Sequence, residues 1–228
     1  MSTGEVLFQI SVWLLPVLLA ITLHEAAHGF AAYWLGDDTA YRKGRVSLNP
    51  LRHVDLVGTI LLPAMLLLFK APVIFGYAKP VPVVFGRLRQ PKRDMVLVAL
   101  AGPGANMVLA TLAVLLVHVV PLLPGAAQQW TLYNLENMLV LNLVLAVFNM
   151  LPIPPLDGGR VLVGLLPPPF DRKVARLERH GILILLALLL LVPLVAHQLG
   201  SDINPLASLI GPPVRMLYNF LVSFAGLT

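Results

Sequence analysis

Two histidines and a glutamate near the amino end have the residue types and the spacing of a metal-dependent hydrolase. His24 and His28 lie four positions apart in His24-Glu25-Ala26-Ala27-His28, so on a helix both imidazoles project from one face and can bind one ion. Glu25 directly follows the first histidine, where its carboxylate can take a proton from water activated by that ion. The motif therefore predicts metal-assisted hydrolysis with Glu25 as the general base.

The surroundings of this motif are almost free of charge. Between residues 6 and 35 the only ionisable side chains are His24, Glu25, His28 and Tyr33, and about 20 apolar residues suffice to span a bilayer. Ionisable groups at that depth are costly and mark functional sites. Two packed histidines beside a chance glutamate are the simpler alternative, but the stretch holds no other charges to pair with them. The sequence therefore favours a metal site inside a membrane.

A catalytic zinc usually takes three protein ligands and one water, so one ligand must come from elsewhere. The chain has no cysteine, which restricts the choice to histidine or a carboxylate. Asp157 is the best candidate, because it ends an apolar segment broken by prolines and precedes Gly158-Gly159. An aspartate before two glycines is also common in ordinary turns. Glu136 is the second candidate, although the predicted topology places it near the outer face.

Two asparagines complete the candidate site. Asn149 lies eight residues before Asp157, where its amide could stabilise the oxyanion of a tetrahedral intermediate. An interhelical hydrogen bond explains such an asparagine equally well. Asn106 ends a stretch of small residues, 101–106, that allows close helix contact. We interpret that stretch as mainly structural, with Asn106 near the site and a candidate for substrate contact.

Composition indicates one all-α polytopic membrane domain over residues 1–228, with a catalytic core at about 6–162. The chain is 58% hydrophobic and 12% charged with a net charge of +5, whereas soluble domains carry about 25% charged residues. The basic residues flank apolar segments, which argues against nucleic-acid binding. We predict five to six transmembrane helices, with additional ones at about 180–227. The apolar segments cover 6–35, 54–69, 95–120, 132–151, 181–199 and 206–227.

The basic residues predict the orientation. Three clusters fall at 42–52, 87–93 and 172–179, whereas the loop 121–131 has no lysine or arginine. By the positive-inside rule the clusters are cytoplasmic, the amino terminus is outside, and the active site faces the cytoplasmic side. Both flanks of the segment that begins at residue 54 must then be cytoplasmic. A re-entrant hairpin over about 54–85 satisfies this condition, and a pair of short crossings is the alternative.

Two further stretches have an extended pattern. Residues 41–48 alternate around Gly44, and residues 76–85 mix β-branched residues with prolines. Together they could form a small β element at the membrane face, whose edge would bind a substrate strand by β-addition. Gly76, Val81 and Val83 are the corresponding substrate contacts. Two connecting loops would explain the same pattern.

The order of these elements resembles the site-2 protease family of intramembrane zinc metalloproteases, in particular small members without PDZ or CBS domains. The resemblance rests on the HExxH motif, on Gly102-Pro103-x-x-Asn106, and on Asn149-x7-Asp157 in NMLPIPPLDGGR, and it covers about residues 20–162. It implies one Zn²⁺ per chain bound by His24, His28 and Asp157. It further implies Glu25 as the general base and Asn149 as a substrate-positioning or oxyanion-side residue.

The predicted function is therefore hydrolysis of peptide bonds within or near the transmembrane segment of a protein substrate in the lipid bilayer. A metal-ion transporter is one rival, but the third and fifth apolar segments carry few polar residues to line a path. A scaffold that retains the fold without catalysis is the other, and the complete set of candidate ligands argues against it. The sequence is silent on the oligomeric state.

Overall fold

The structure consists of helices joined by short irregular segments. The computed structural model describes residues 2–69, 76–198 and 205–227, and no strand occurs within these ranges. Its α-helices are α1 (Thr3–Trp34), α2 (Thr39–Arg42), α3 (Leu62–Leu68), α4 (Pro91–Leu116), α5 (Gly125–Asn149), α6 (Asp157–Leu165), α7 (Phe170–Ala175), α8 (Gly181–Leu186), α9 (Val192–Gln198) and α10 (Pro205–Phe224). Short 3₁₀ segments lie at Pro50–His53, Phe85–Arg87, Val117–Leu122 and Arg176–His180, and π-helical turns lie at Leu56–Leu61 and Ala187–Leu191.

Four helical stretches within the described residues are long and apolar enough to cross a bilayer: Thr3–Trp34, Pro91–Leu122, Ala127–Asn149 and Phe170–Ala196. At 1.5 Å per residue each exceeds the roughly 30 Å of a hydrocarbon core. The chain is therefore a multi-pass integral membrane protein. The predicted count of five to six spans is not confirmed, because α10 does not belong to this set of four.

Helices α1, α4 and α5 form the bundle that holds the site. Small and branched side chains of α4 and α5 pack together with Leu221 of α10 in one buried cluster. Pro16 lies inside α1 and has no backbone N–H, so the carbonyl of Val12 lacks its usual helical donor. Asn137 of α5 replaces that donor, with its Nδ2 3.0 Å from Val12 O. This bond joins α5 to α1 inside the apolar bundle.

The two ends of the bundle carry different groups. At one end Arg87 contacts Asp38 at 3.5 Å, and Lys92 contacts Asp171 at 3.1 Å. The three basic clusters therefore lie at the same end, next to the end of α1 and the start of α4. At the other end the Trp130 indole donates to Ser11 Oγ at 3.1 Å. Helices α1 and α5 consequently run in the same direction, with α4 antiparallel to both.

The apolar segment 54–69 begins with π-helical turns and continues as α3. The chain that follows residue 75 returns beside its first turn, since Tyr77 N donates to Gly58 O at 3.0 Å and Lys79 N donates to His53 O at 2.9 Å. The two flanks of the segment are thus adjacent, as a hairpin requires. Residues 70–75, which would hold its tip, lie outside the described residues. The re-entrant path stays a prediction.

The predicted β element is not confirmed. The structure places Tyr41 and Arg42 in helix α2 rather than in an extended segment, and Gly44 then turns the chain with φ +63°. Segment 76–84 is irregular, and it makes no ladder with residues 41–48 in the described part of the chain. Its prolines have no N–H to donate, and the N–H groups of Val81 and Val84 bind carboxylates instead.

Candidate metal centre

Three side chains from distant parts of the sequence meet inside the bundle. His24 and His28 project from one face of α1, and Asp157 is the first residue of α6. His24 Nε2 lies 3.1 Å from His28 Nε2, and Asp157 Oδ2 lies 3.2 Å and 3.3 Å from those two nitrogens. All three residues are buried. Among the described residues they form the group of histidine and carboxylate side chains that could hold a metal ion, and Glu136 is not part of it.

The dimensions of this triangle match zinc. In a tetrahedral site with metal–ligand bonds of about 2.0–2.1 Å, two ligand atoms are separated by about 3.3–3.4 Å. The three observed separations, 3.1–3.3 Å, fall within 0.3 Å of that value. One tetrahedral position would remain open for water or substrate, as in catalytic zinc sites.

The hydrogen bonds behind the two imidazoles determine where their protons lie. His28 Nδ1 is 2.7 Å from the carbonyl oxygen of Val98, which can only accept. His24 Nδ1 is 2.6 Å from Oδ1 of Asn106. In neutral imidazoles both Nδ1 atoms therefore carry the proton, and both Nε2 lone pairs face the centre of the triangle. Metal-bound histidines commonly have this arrangement, because the second nitrogen fixes the tautomer.

Three hydrogen-bond acceptor atoms therefore face the centre of the triangle, and no hydrogen-bond donor of the three ligands faces it. Asp157 Oδ2 is buried and has no hydrogen-bond partner within the described structure. It faces two nitrogens whose protons lie on the opposite side of each ring. A buried carboxylate oxygen is costly unless it is paired or bound to a cation. A divalent metal ion satisfies all three atoms, so the donor set fits zinc.

The loop between α5 and α6 brings Asp157 to α1, and two glycines allow it to do so. A Cβ at Gly158 would overlap the carbonyl oxygens of Met150 and Leu151, and a Cβ at Gly159 would lie 2.8 Å from the carbonyl carbon of Ile153. The loop backbone therefore lies directly on the first turn of α6. The paired glycines permit this close approach, since larger residues would push the loop away.

Gly102 likewise permits a close approach, in this case of helix α4 to the two histidines. A Cβ at this position would lie 2.6 Å from Cε1 of both His24 and His28, and closer still to the His28 Nε2 atom. Helix α4 can approach the two imidazoles only because this residue has no side chain. The Gly-Pro-x-x-Asn element thus contributes a gap at Gly102 and a hydrogen bond at Asn106 to one site.

Glu25 is held by the segment that precedes α4. Its Oε2 accepts a hydrogen bond from Val81 N at 2.8 Å, and the residue is partly buried. Asp37, just after α1, binds the same segment by accepting from Val84 N at 2.6 Å. Burial acts to raise the pKa of Asp37, but hydrogen bonds from Thr39 and Val84 outweigh it and lower that pKa. The carboxylates of Glu25 in α1 and of Asp37 just after it therefore both hold segment 76–84 next to the site.

A cavity of about 630 Å³ opens over the three ligands and Glu25. Asn149 lines it and donates from Nδ2 to Leu145 O at 3.0 Å. Gly76, Val81 and Val83 also line it. Arg160 lines it too, with its guanidinium carbon 5.7 Å from the centre of the Phe85 ring and an ion pair to Glu178. Most of the remaining lining is apolar and includes Ile182, Leu185, Leu189 and Ile210.

Asn106 is placed differently from the other predicted site residues. It is completely buried behind His24 and does not line the cavity. Its amide instead bonds to His24, to Ala20 O and to Asn142. Sequence reasoning did not single out Asn142 or Arg160. The signal for Asn142 was a polar amide in a largely apolar segment, where such a group is costly unless it is bonded. The same segment also carries Asn134, Glu136, Asn137 and Asn149, so this signal alone does not select Asn142.

Comparison with known proteins identifies several relatives. The family model described as Peptidase family M50 matches residues 116–192. "Putative zinc metalloprotease YwhC" of Bacillus subtilis is 37% identical over 194 residues, which cover 83% of this chain and 84% of that protein. "Putative zinc metalloprotease Rip2" of Mycolicibacterium smegmatis is 32% identical over 174 residues, covering 76% of this chain and 64% of that protein. No solved structure shows a significant match.

Proposed function

The chain belongs to peptidase family M50 and is a zinc metallopeptidase of the site-2 protease type, and we propose that it hydrolyses peptide bonds within or near the transmembrane segments of membrane proteins. The observation that carries this proposal is the buried triangle of acceptor atoms from His24, His28 and Asp157 beneath a largely apolar cavity. One Zn²⁺ per chain, held by these three residues, completes the proposed site.

The depth of the site supports cleavage inside the membrane. His24 lies ten residues before the end of α1 at Trp34, which corresponds to about 15 Å along a helix. Helix α1 has 32 residues and is therefore about 48 Å long, so a hydrocarbon core of about 30 Å centred on it would enclose His24 and His28 in the half nearer Trp34. The apolar lining of the cavity suits the side chains of a transmembrane substrate. The substrate and the lipid bilayer are thus the proposed partners.

We assign the chemistry to Glu25. Zinc at this site would supply a Lewis acid that activates water and polarises the scissile carbonyl. Glu25 takes a proton from the attacking water as the new C–O bond forms, and it then delivers that proton to the amide nitrogen as the C–N bond breaks. The Val81 N–H bond to Glu25 Oε2 holds the carboxylate in the cavity that the three ligands also line.

The two asparagines receive different proposed roles. Asn149 lines the cavity, so its amide can contact the substrate backbone or the developing oxyanion. Asn106 is buried behind His24, so we assign it to the orientation of that ligand rather than to substrate contact. Gly76, Val81 and Val83 remain the proposed contacts for an extended substrate segment, because all three line the same cavity.

The proposed orientation places the amino terminus outside and opens the site toward the cytoplasmic side. Ion pairs from Arg87 to Asp38 and from Lys92 to Asp171 gather the basic clusters at one end of the bundle. The positive-inside rule assigns that end to the cytoplasm. Water would enter from there, past the segment 76–84. The whole chain, 1–228, acts as a single membrane-embedded catalytic domain in this proposal.

The test compares the wild type with Glu25→Gln, both purified in detergent and reconstituted into liposomes. The probe is a doubly tagged single-span helix with a Gly-Pro break near its centre, because an unwound segment exposes its carbonyls. We expect the wild type to cleave it within the apolar segment, as located by mass spectrometry. Glu25→Gln should keep its zinc and lose at least about 10²-fold in rate. Equal cleavage by the two proteins would refute the assignment.

A further inference from the structure

A pair of completely buried amides connects helix α5 to the metal centre on α1. Asn106 of α4 and Asn142 of α5 both have 0% of their surface exposed. Asn106 Oδ1 is 2.6 Å from His24 Nδ1, and Asn106 Nδ2 donates to Ala20 O at 3.3 Å and to Asn142 Oδ1 at 2.7 Å. Asn142 Nδ2 in turn donates to Met138 O at 2.8 Å.

The direction of every bond in this chain is determined by atoms that can only accept. Met138 O is a carbonyl oxygen, so the amide nitrogen of Asn142 must face it and its Oδ1 must face Asn106. Ala20 O is also a carbonyl oxygen, so it too requires the nitrogen of Asn106. Asn106 therefore presents Oδ1 to His24, and His24 must carry its proton on Nδ1. The opposite amide orientation would place oxygen against oxygen at two positions.

We propose that Asn142 is a positioning residue of the metal centre. Through Asn106 it holds His24 in the tautomer and ring orientation that turn the bare Nε2 toward His28 and Asp157. The inference rests on the proposed function, because it assumes that His24 binds zinc. It goes beyond that function by assigning a residue of α5, two hydrogen bonds away from His24 Nδ1, to the control of a ligand on α1.

The size of the effect follows from the connectivity. Loss of the group that bonds directly to a metal-bound histidine typically costs 10–100-fold in metal affinity. Asn142 acts one bond further away, so we expect a loss at the lower end, about tenfold. Without Asn142, the Asn106 nitrogen keeps only its 3.3 Å bond to Ala20 O. One of its two N–H groups then has no partner in an apolar interior, and only the longer bond to Ala20 O still favours the amide orientation that His24 requires.

A plain packing role is the competing explanation, because asparagines often join helices in membranes. The chain provides a matched control for it. Asn137 also lies on α5 and also bonds to α1, with Nδ2 3.0 Å from Val12 O, yet within the described structure it makes no hydrogen bond to His24 or Asn106. A loss of helix contact alone should affect the Asn137→Leu and Asn142→Leu variants alike.

The experiment measures zinc affinity of the full-length protein in detergent, by competition with a chromogenic chelator. Asn142→Leu should weaken zinc binding about tenfold, whereas Asn137→Leu should match the wild type. Both variants are then combined with Asn106→Asp. Because both carboxylate oxygens accept hydrogen bonds, the His24 proton stays on Nδ1 without help from Asn142. The second carboxylate oxygen then faces Ala20 O and Asn142 Oδ1, so Asn106→Asp by itself should weaken zinc binding, and Asn142 no longer holds residue 106 in place. Asn142→Leu should therefore cause no further loss in the Asn106→Asp background.

Each outcome decides between the explanations. Wild-type zinc affinity in Asn142→Leu would overturn the inference. An equal loss of zinc affinity from Asn142→Leu with and without Asn106→Asp would also overturn it, because a purely structural effect does not depend on the His24 tautomer. If Asn142→Leu does not fold, Asn142→Ser takes its place, because its hydroxyl is too short to reach Asn106. The proposed function would be refuted instead if the wild type bound no zinc, or if the His24→Ala variant kept its zinc.

Discussion

Substitution of Gly102 by alanine is the sharpest test of the proposed centre. Helix interiors favour alanine over glycine by about 0.8–1.0 kcal/mol, so helix propensity alone predicts that the variant is more stable. The structure predicts the opposite effect on the site. An added Cβ would lie 2.6 Å from Cε1 of both His24 and His28, whereas carbon atoms in contact are about 3.5–4.0 Å apart. Each ring, or α4 itself, must therefore move by about 1 Å.

Such a movement is large for a metal site. Ligand distances must stay within about 0.2 Å of their ideal values, and a 1 Å misplacement in an active site costs about 10²-fold in rate. We expect Gly102→Ala to lose zinc in a chelator competition and to lose at least about 10²-fold in cleavage of the single-span probe. Its helical content should remain that of the wild type.

Gly104→Ala is the matched control for this prediction. Gly104 lies on the same helix, and a Cβ there would meet nothing within 4 Å. This variant should bind zinc and cleave the probe as the wild type does, with equal or slightly higher thermal stability. Wild-type zinc affinity in Gly102→Ala would show that α4 does not approach the imidazoles as described and would refute the reasoning.

Two further predictions concern the carboxylates. Asp157→Ala should reduce zinc from about one per chain to nearly none after a brief chelator challenge, measured by elemental analysis, whereas retained zinc would place the third ligand elsewhere. Asp37 has a lowered pKa in the folded state, so its ionised carboxylate stabilises the fold at neutral pH. This contribution declines as the pH falls below the unfolded pKa of 3.8, and it is lost below the folded pKa. Asp37→Asn should remove this contribution from the pH dependence of the melting temperature. An identical fall in melting temperature with acid in the wild type and in Asp37→Asn would contradict the prediction.

Much of the fold followed from local sequence patterns. Long apolar stretches predicted membrane-spanning helices, because a bilayer imposes both length and hydrophobicity, and four such helices are present among the described residues. The extended pattern of residues 41–48 was misleading, since Tyr41 and Arg42 belong to α2. Alternation over so few residues does not separate a strand from a helical turn. The prolines of the segment 76–85 and its carboxylate partners disfavoured a ladder, but those partners are visible only in three dimensions.

The HExxH pattern is enough to indicate which chemistry this chain can perform. Spacing of four residues on a helix places His24 and His28 on one face whatever the rest of the fold does, and the apolar neighbours of Glu25 determine its membrane location. Which later residues join them depends on how the helices pack. Asp157, Gly102 and the Asn106–Asn142 pair reach His24 by the packing of α4, α5 and α6. Such contacts depend on helix orientation and close approach, which local periodicity does not encode.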